Sequence, residues 1–95
     1  MQAAEFEATL HRDGFSEVAT KSVPHAPPTP EHAHPFDVRA LVLEGEITLS
    51  ADGQSRTFRP GDVFVMESGR PHAEAIGLDG VRYVVGRRHP SPPSS

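Results

Sequence analysis

The chain is expected to fold as a small all-β domain, a sandwich or barrel of short strands preceded by one short helix. Three observations predict this. Gly45, Gly53, Gly61, Gly69 and Gly77 recur at eight-residue intervals. Between them lie "EITLS", "QSRTFR", "DVFVM" and "PHAEAI", short pieces carrying β-branched or aromatic residues. Turn signals such as Glu44-Gly45, Asp52-Gly53 and Pro60-Gly61 bound these pieces. Short strands with turns at this spacing are the pattern of a sandwich or barrel. The 95 residues make one domain. A chain this short buries only about 60–65% of its unfolded surface, so a metal or a second subunit would add useful stability.

The elements follow in order. Ala3, Phe6 and Leu10 form a narrow apolar stripe at helical spacing, and Asp13-Gly14 supplies a stop, which predicts a helix over about residues 2–12. So short a helix is marginal alone and must pack on something. "FSEVATKSV" reads as a strand. "PHAPPTPEH" carries four prolines. Proline has no amide donor, so this is an extended edge segment or long loop. The strand pieces between glycines follow, and "VRYVVGRR" closes the set. The organisation is a helix at 1–14 packed on a barrel at 15–88, with a Pro/Ser-rich flexible tail at 89–95.

Composition excludes several functions. There is no cysteine, so disulfides, sulfur-bound zinc and iron–sulfur clusters are ruled out. The formal net charge is −4, which argues against nucleic-acid binding. Arg87 and Arg88 read as a solvated strand end. "MQAAEFEATL" lacks the basic and apolar regions of a signal peptide, and "ALVL" and "VFVM" are far too short to span a bilayer. The expectation is a cytoplasmic protein with no membrane or nucleic-acid partner.

The histidines carry the chemistry. His32 and His34 in "EHAH" are two residues apart, so on an extended segment they point to one side. His72 follows the turn "ESGRP" and begins a strand, so an antiparallel partner can bring it opposite the pair. Three imidazoles would make a facial metal site with open positions for water or substrate. His11 is expected to face solvent beside Arg12, His89 lies at the mouth of the tail, and His25 sits in the proline segment.

These residues resemble the cupin family. The first cupin motif, G-x5-H-x-H-x3,4-E-x6-G, is matched by His32, His34 and Gly45, with Ala26 at the first glycine position. The second, G-x5-P-x-G-x2-H-x3-N, is matched by Gly61, Gly69 and His72, with Glu67 and Ile76 in place of the proline and asparagine. The resemblance covers about residues 23–86 and implies a double-stranded β-helix, the jelly-roll barrel. It also implies a divalent transition metal (zinc, iron, nickel, manganese or copper) on His32, His34 and His72. One departure matters: the family's glutamate ligand falls on Val38, which cannot coordinate. Asp37, through a bulge, or Glu74, two residues after His72, are the carboxylates that can replace it; otherwise water or a substrate carboxylate fills the place. Three neutral imidazoles leave the metal its full charge, which favours an anionic ligand.

If Val38 faces the barrel interior, so do Ala40 and Val42, and Leu41 and Leu43 face outward. That outer face calls for a cover, either the N-terminal helix or a second subunit. Cupins commonly dimerise through sheet faces, so the resemblance implies a homodimer.

Three readings of the function stand side by side. One is a metal-dependent enzyme of dioxygenase, isomerase or lyase type on a small polar or anionic molecule, with Glu74, Asp37 or Tyr83 as acid or base. Another is a non-catalytic small-ligand binding or sensor module. The third is a scaffold with vestigial histidines. A cavity lined by polar groups favours the first two; one plugged by Phe36, Phe58, Phe64 and Met66 favours the third.

Overall fold

The computed structural model describes residues 1–90. The elements are α1 (Ala3–Arg12), β1 (Ser16–Val23), β2 (Asp37–Ala51), β3 (Gln54–Phe58), β4 (Val63–Met66) and β5 (Ala73–Arg88). All pairings are antiparallel. No helix among the described residues is long and apolar enough to cross a membrane. Of the tail expected at 89–95, residues 91–95 lie outside the described residues.

Two long strands, β2 and β5, pair along their whole length and bend together. Residues Asp37–Gly45 pair with Val81–Arg88, and Ile47–Ser50 pair with Ala73–Ile76. Opposite Glu46, β5 carries the extra residues 77–80. On either side of this bend lies a half-sheet. One holds β1, the C-terminal half of β5, the N-terminal half of β2, and β4. The other holds the proline segment, the remaining halves of β5 and β2, and β3. Their inner faces close on Val38, Ala40, Val42, Ile47, Phe58, Phe64, Ile76, Val81 and Val85. This is the double-stranded β-helix.

The bend corrects one expectation. Glu44-Gly45 is not a chain reversal and Gly77 does not end a strand; both lie inside long strands. Register shifts flank Gly45 on both sides, and its φ is +73°. The residue therefore makes a bulge, which turns a strand without ending it. A Cβ at Gly45 would overlap the Gly80 carbonyl, so only glycine lets the two backbones cross this closely.

The outer face of the first half-sheet is covered as required. Val38, Ala40 and Val42 point into the core, and Leu41 joins Phe6, Leu10, Phe15 and Val84 in a second buried cluster, with Leu43 packed at its side. The helix stripe supplies the cover, through Phe6 and Leu10 as its spacing predicts. Arg39 and Arg88 both lie over the Phe15 ring, at 4.5 and 4.7 Å. They fasten the helix–strand junction through Asp13: Arg39 Nη1 donates to its carboxylate at 2.6 Å and Arg88 Nη1 to its carbonyl at 3.3 Å.

Candidate metal centre

The proline segment positions the first histidine. Its prolines donate nothing, yet it still docks on β5 through Ala26, Thr29 and His32. Ala26 exchanges backbone hydrogen bonds with Ile76, Thr29 N–H donates to the Glu74 carbonyl at 2.9 Å, and His32 exchanges two bonds of 2.8 Å with His72. The Thr29 hydroxyl accepts from Glu74 N–H at 3.0 Å. Bonding residues recur every third position on the segment and every second on β5. Three residues per turn is the period of a proline-rich extended helix, so residues 26, 29 and 32 share one side. His32 and His72 thus form a hydrogen-bonded antiparallel pair, 40 residues apart in the chain. Such pairs set their side chains on the same face.

The three rings gather. Ring centroids are 4.7 Å apart for His32 and His72, 4.9 Å for His34 and His72, and 6.4 Å for His32 and His34. The His34 backbone is pinned by Gly69 N–H, which donates to its carbonyl at 2.8 Å, and its ring stacks on Phe36 at 4.4 Å. Ligand atoms of His32, His72 and Glu74 lie within 4.8 Å of one another; His34, although its ring is close, is not part of that group.

The rings are also oriented. Nδ1 of His32, His34 and His72 bonds the carbonyls of Pro30, Phe36 and Arg70, at 2.9, 3.1 and 3.1 Å. A carbonyl only accepts, so Nδ1 is the donor, and in the neutral ring Nε2 carries the lone pair. Histidines that bind metals are commonly fixed by such a bond from the other ring nitrogen. His72 is 4% exposed, and its Nε2 is buried with no protein partner. A buried acceptor without a partner costs stability, and a cation at the site would supply one. The residues present therefore fit a divalent metal.

The other candidates are placed elsewhere. Asp37 is not turned inward by a bulge. Its carboxylate accepts from Ser68 N–H at 2.9 Å and pairs with Arg88 at 3.0 Å. Those bonds, the Ser68 amide first, hold its pKa below the ordinary carboxylate value. Val38 is buried in the core, as its register predicts. His11 is exposed. His25 Nδ1 donates to the Ile76 carbonyl at 2.8 Å, a structural bond. His89 Nε2 meets the Glu17 carboxylate at 2.9 Å.

Beside the rings opens a cavity of about 170 Å³. Phe36, Phe64 and Met66 line it without filling it, while Phe58 packs in the core. Its polar lining is His32, His34, Glu74, Tyr83, Lys21 and Arg87. Burial, and then the negative charge of Glu74, push the Tyr83 phenol above its ordinary value. No motif in the sequence marks Lys21 or Arg87 as site residues. Arg87 is not a solvated strand end: its guanidinium lies 4.5 Å from the Phe36 ring, at the cavity. Strand parity was the available signal, since Tyr83, Val85 and Arg87 alternate onto one face.

Comparison with known proteins agrees with this architecture. A family model described as Cupin domain matches residues 20–86. No curated protein matches the chain significantly by sequence. Among solved structures, a conserved protein of unknown function from Streptococcus pyogenes is similar at 20% identity and TM-score 0.66, over 79% of this chain and 65% of the other. A cupin superfamily protein from Desulfitobacterium hafniense is similar at 22% identity and TM-score 0.64, over 77% and 66%. The DMSP lyase DddQ from Ruegeria pomeroyi is similar at 26% identity and TM-score 0.64, over 81% of this chain but 40% of that one. The chain thus spans just under two thirds of the length of the first two structures.

Proposed function

The chain belongs to the cupin family, and we propose that it holds one divalent transition metal on Nε2 of His32, His34 and His72, with Glu74 as the carboxylate ligand in place of the glutamate that Val38 removes. The observation that carries this reading is the buried Nε2 of His72, left without a protein partner while all three Nδ1 atoms are committed to carbonyls. Three imidazoles and a carboxylate suit zinc, iron, nickel, manganese or copper. Glu74 neutralises one of the two charges, so the centre stays positive and favours an anionic ligand. When bound, the metal supplies Lewis acidity at the cavity wall.

The substrate or ligand is a small polar or anionic molecule in the adjoining cavity. Support for an enzymatic role, of dioxygenase, isomerase or lyase type, comes from the accessible cavity and the likeness to the DMSP lyase. The same cavity supports binding without turnover, and substrate consumption separates the two.

The test is elemental analysis of protein purified without added metal or an affinity tag. One equivalent of metal in the wild type, lost in His72→Ala and reduced in His34→Ala and Glu74→Gln, is the expected result. A wild type that neither carries nor takes up zinc, iron, nickel, manganese or copper overturns the reading. The homodimer is proposed as well, and a monomeric mass in sedimentation would remove it.

A further inference from the structure

We infer that Lys21 and Arg87 form a carboxylate-binding subsite on the cavity wall, so that the molecule this cupin takes is a small organic carboxylate. This rests on the metal reading for what the rest of the molecule meets, though the subsite itself is built from protein cations alone.

The chain has nine lysines and arginines. Six of them, Arg12, Arg39, Arg59, Arg70, Arg82 and Arg88, make an ion pair within 4.0 Å. Among the described residues, Lys21, Arg56 and Arg87 make none. Arg56 lies over the Phe58 ring. The other two line the same cavity, which also opens on His32, His34 and Glu74.

Both face inward by register. Lys21 pairs with Tyr83 across β1 and β5, and Arg87 lies four residues along β5 from Tyr83, on the same face. An inward charge on an edge strand such as β1 also deters strand-to-strand aggregation, which accounts for a lysine there. It does not account for Arg87, because β5 is flanked on both sides. Phe36 positions the Arg87 guanidinium without neutralising it. The nearby Glu17 carboxylate feels both cations but is hydrogen-bonded to His89. Against the single Glu74 carboxylate in the same lining, two cations without an ion-pair partner leave one net positive charge for a ligand to balance.

The rest of the lining sets the class further. Val38, Ile47, Phe64 and Val85 offer an apolar wall. Guanidinium and ammonium donors match a planar carboxylate. The volume, about 170 Å³, admits only a small molecule. The occupant is therefore a short-chain carboxylate: its charged end lies on Lys21 and Arg87, and its body crosses the apolar wall toward the histidines.

The chain carries its own reporter, since Tyr83 is its single tyrosine and it has no tryptophan. Sodium propanoate and its neutral analogue propanamide are titrated into chelator-treated and zinc-loaded protein at constant ionic strength. Tyr83 emission is followed, and zinc content is measured on the same samples. Propanoate is expected to saturate the signal in both forms and propanamide in neither. Lys21→Met and Arg87→Met each weaken propanoate by at least about tenfold, while Arg87→Lys retains most of the binding. Equal responses to the two probes, or Met variants that bind as the wild type does, overturn the inference. Lys21 is exposed on an edge strand, so Lys21→Met decides the matter should Arg87→Met fail to fold. Propanoate selectivity in a protein that takes up no zinc removes the metal reading and leaves the subsite standing. Zinc uptake with silent Met variants removes the subsite alone.

Discussion

His72→Leu should reverse the sign of its effect on stability according to whether metal is present. In the metal-free protein the substitution removes a buried acceptor with no protein partner, a gain of about 1–3 kcal/mol. It also removes the bond from Nδ1 to the Arg70 carbonyl, a loss of about 1 kcal/mol. Leucine is close to histidine in volume, so packing changes little. The net is about 0 to +2 kcal/mol, and at about 4–8 °C per kcal/mol the melting temperature rises by up to roughly 16 °C or holds level. Zinc at a hundred times its dissociation constant stabilises the wild type by about 2.7 kcal/mol and leaves the variant unmoved. Calorimetric melting of both proteins, with chelator and with zinc, gives the four numbers. A chelated variant that melts well below the chelated wild type would show that Nε2 is satisfied without metal. A zinc shift surviving in the variant would show that His72 is not a ligand.

Further expectations concern the scaffold. Gly45→Ala should abolish soluble folded protein or cost more than about 3 kcal/mol, since its Cβ meets the Gly80 backbone. Gly53→Ala, with a similar positive φ of +76° but open space, should cost only about 1 kcal/mol; equal losses in urea melts would discard the crossing argument. Leu41→Ala, at a position 1% exposed beneath α1, should cost about 2–5 kcal/mol. Asp37→Asn tests the acid limb. Because the Ser68 amide and Arg88 lower the native pKa of Asp37 from 3.8, its stabilising contribution is full above that value and fades as pH falls through the lowered one. The variant should be the less stable protein near neutrality and match the wild type in strong acid; a constant gap across pH would refute this.

Particular residues show how far the sequence reached. The stripe of Phe6 and Leu10 and the outward parity of Leu41 were both legible, and they meet in one buried cluster. The shared side of the "EHAH" pair was legible because strand parity is local; that His72 lies opposite His32, 40 residues away, was implied by the cupin motifs rather than by spacing. Of the carboxylates the sequence leaves open, Asp37 could not be set aside from sequence, because its partners, Ser68 and Arg88, arrive from other parts of the chain. Gly45 makes a bulge where the Glu44-Gly45 signal predicts a turn, because glycine serves bulges and reversals alike and only the crossing strand distinguishes them.

What the sequence determined alone was periodicity: a short helix, strands of alternating face, a proline segment unable to join a full ladder, and imidazoles free of sulfur competitors. What only the tertiary structure decided was pairing. It decided which strand lies opposite which, and so which Nε2 is buried, which carboxylate shares its space, and which cations are left over at the cavity. The physical reason is range. Backbone propensity and side-chain parity act over a few residues, whereas hydrogen bonds and charge neutralisation depend on groups that only the closed barrel brings within a few ångströms.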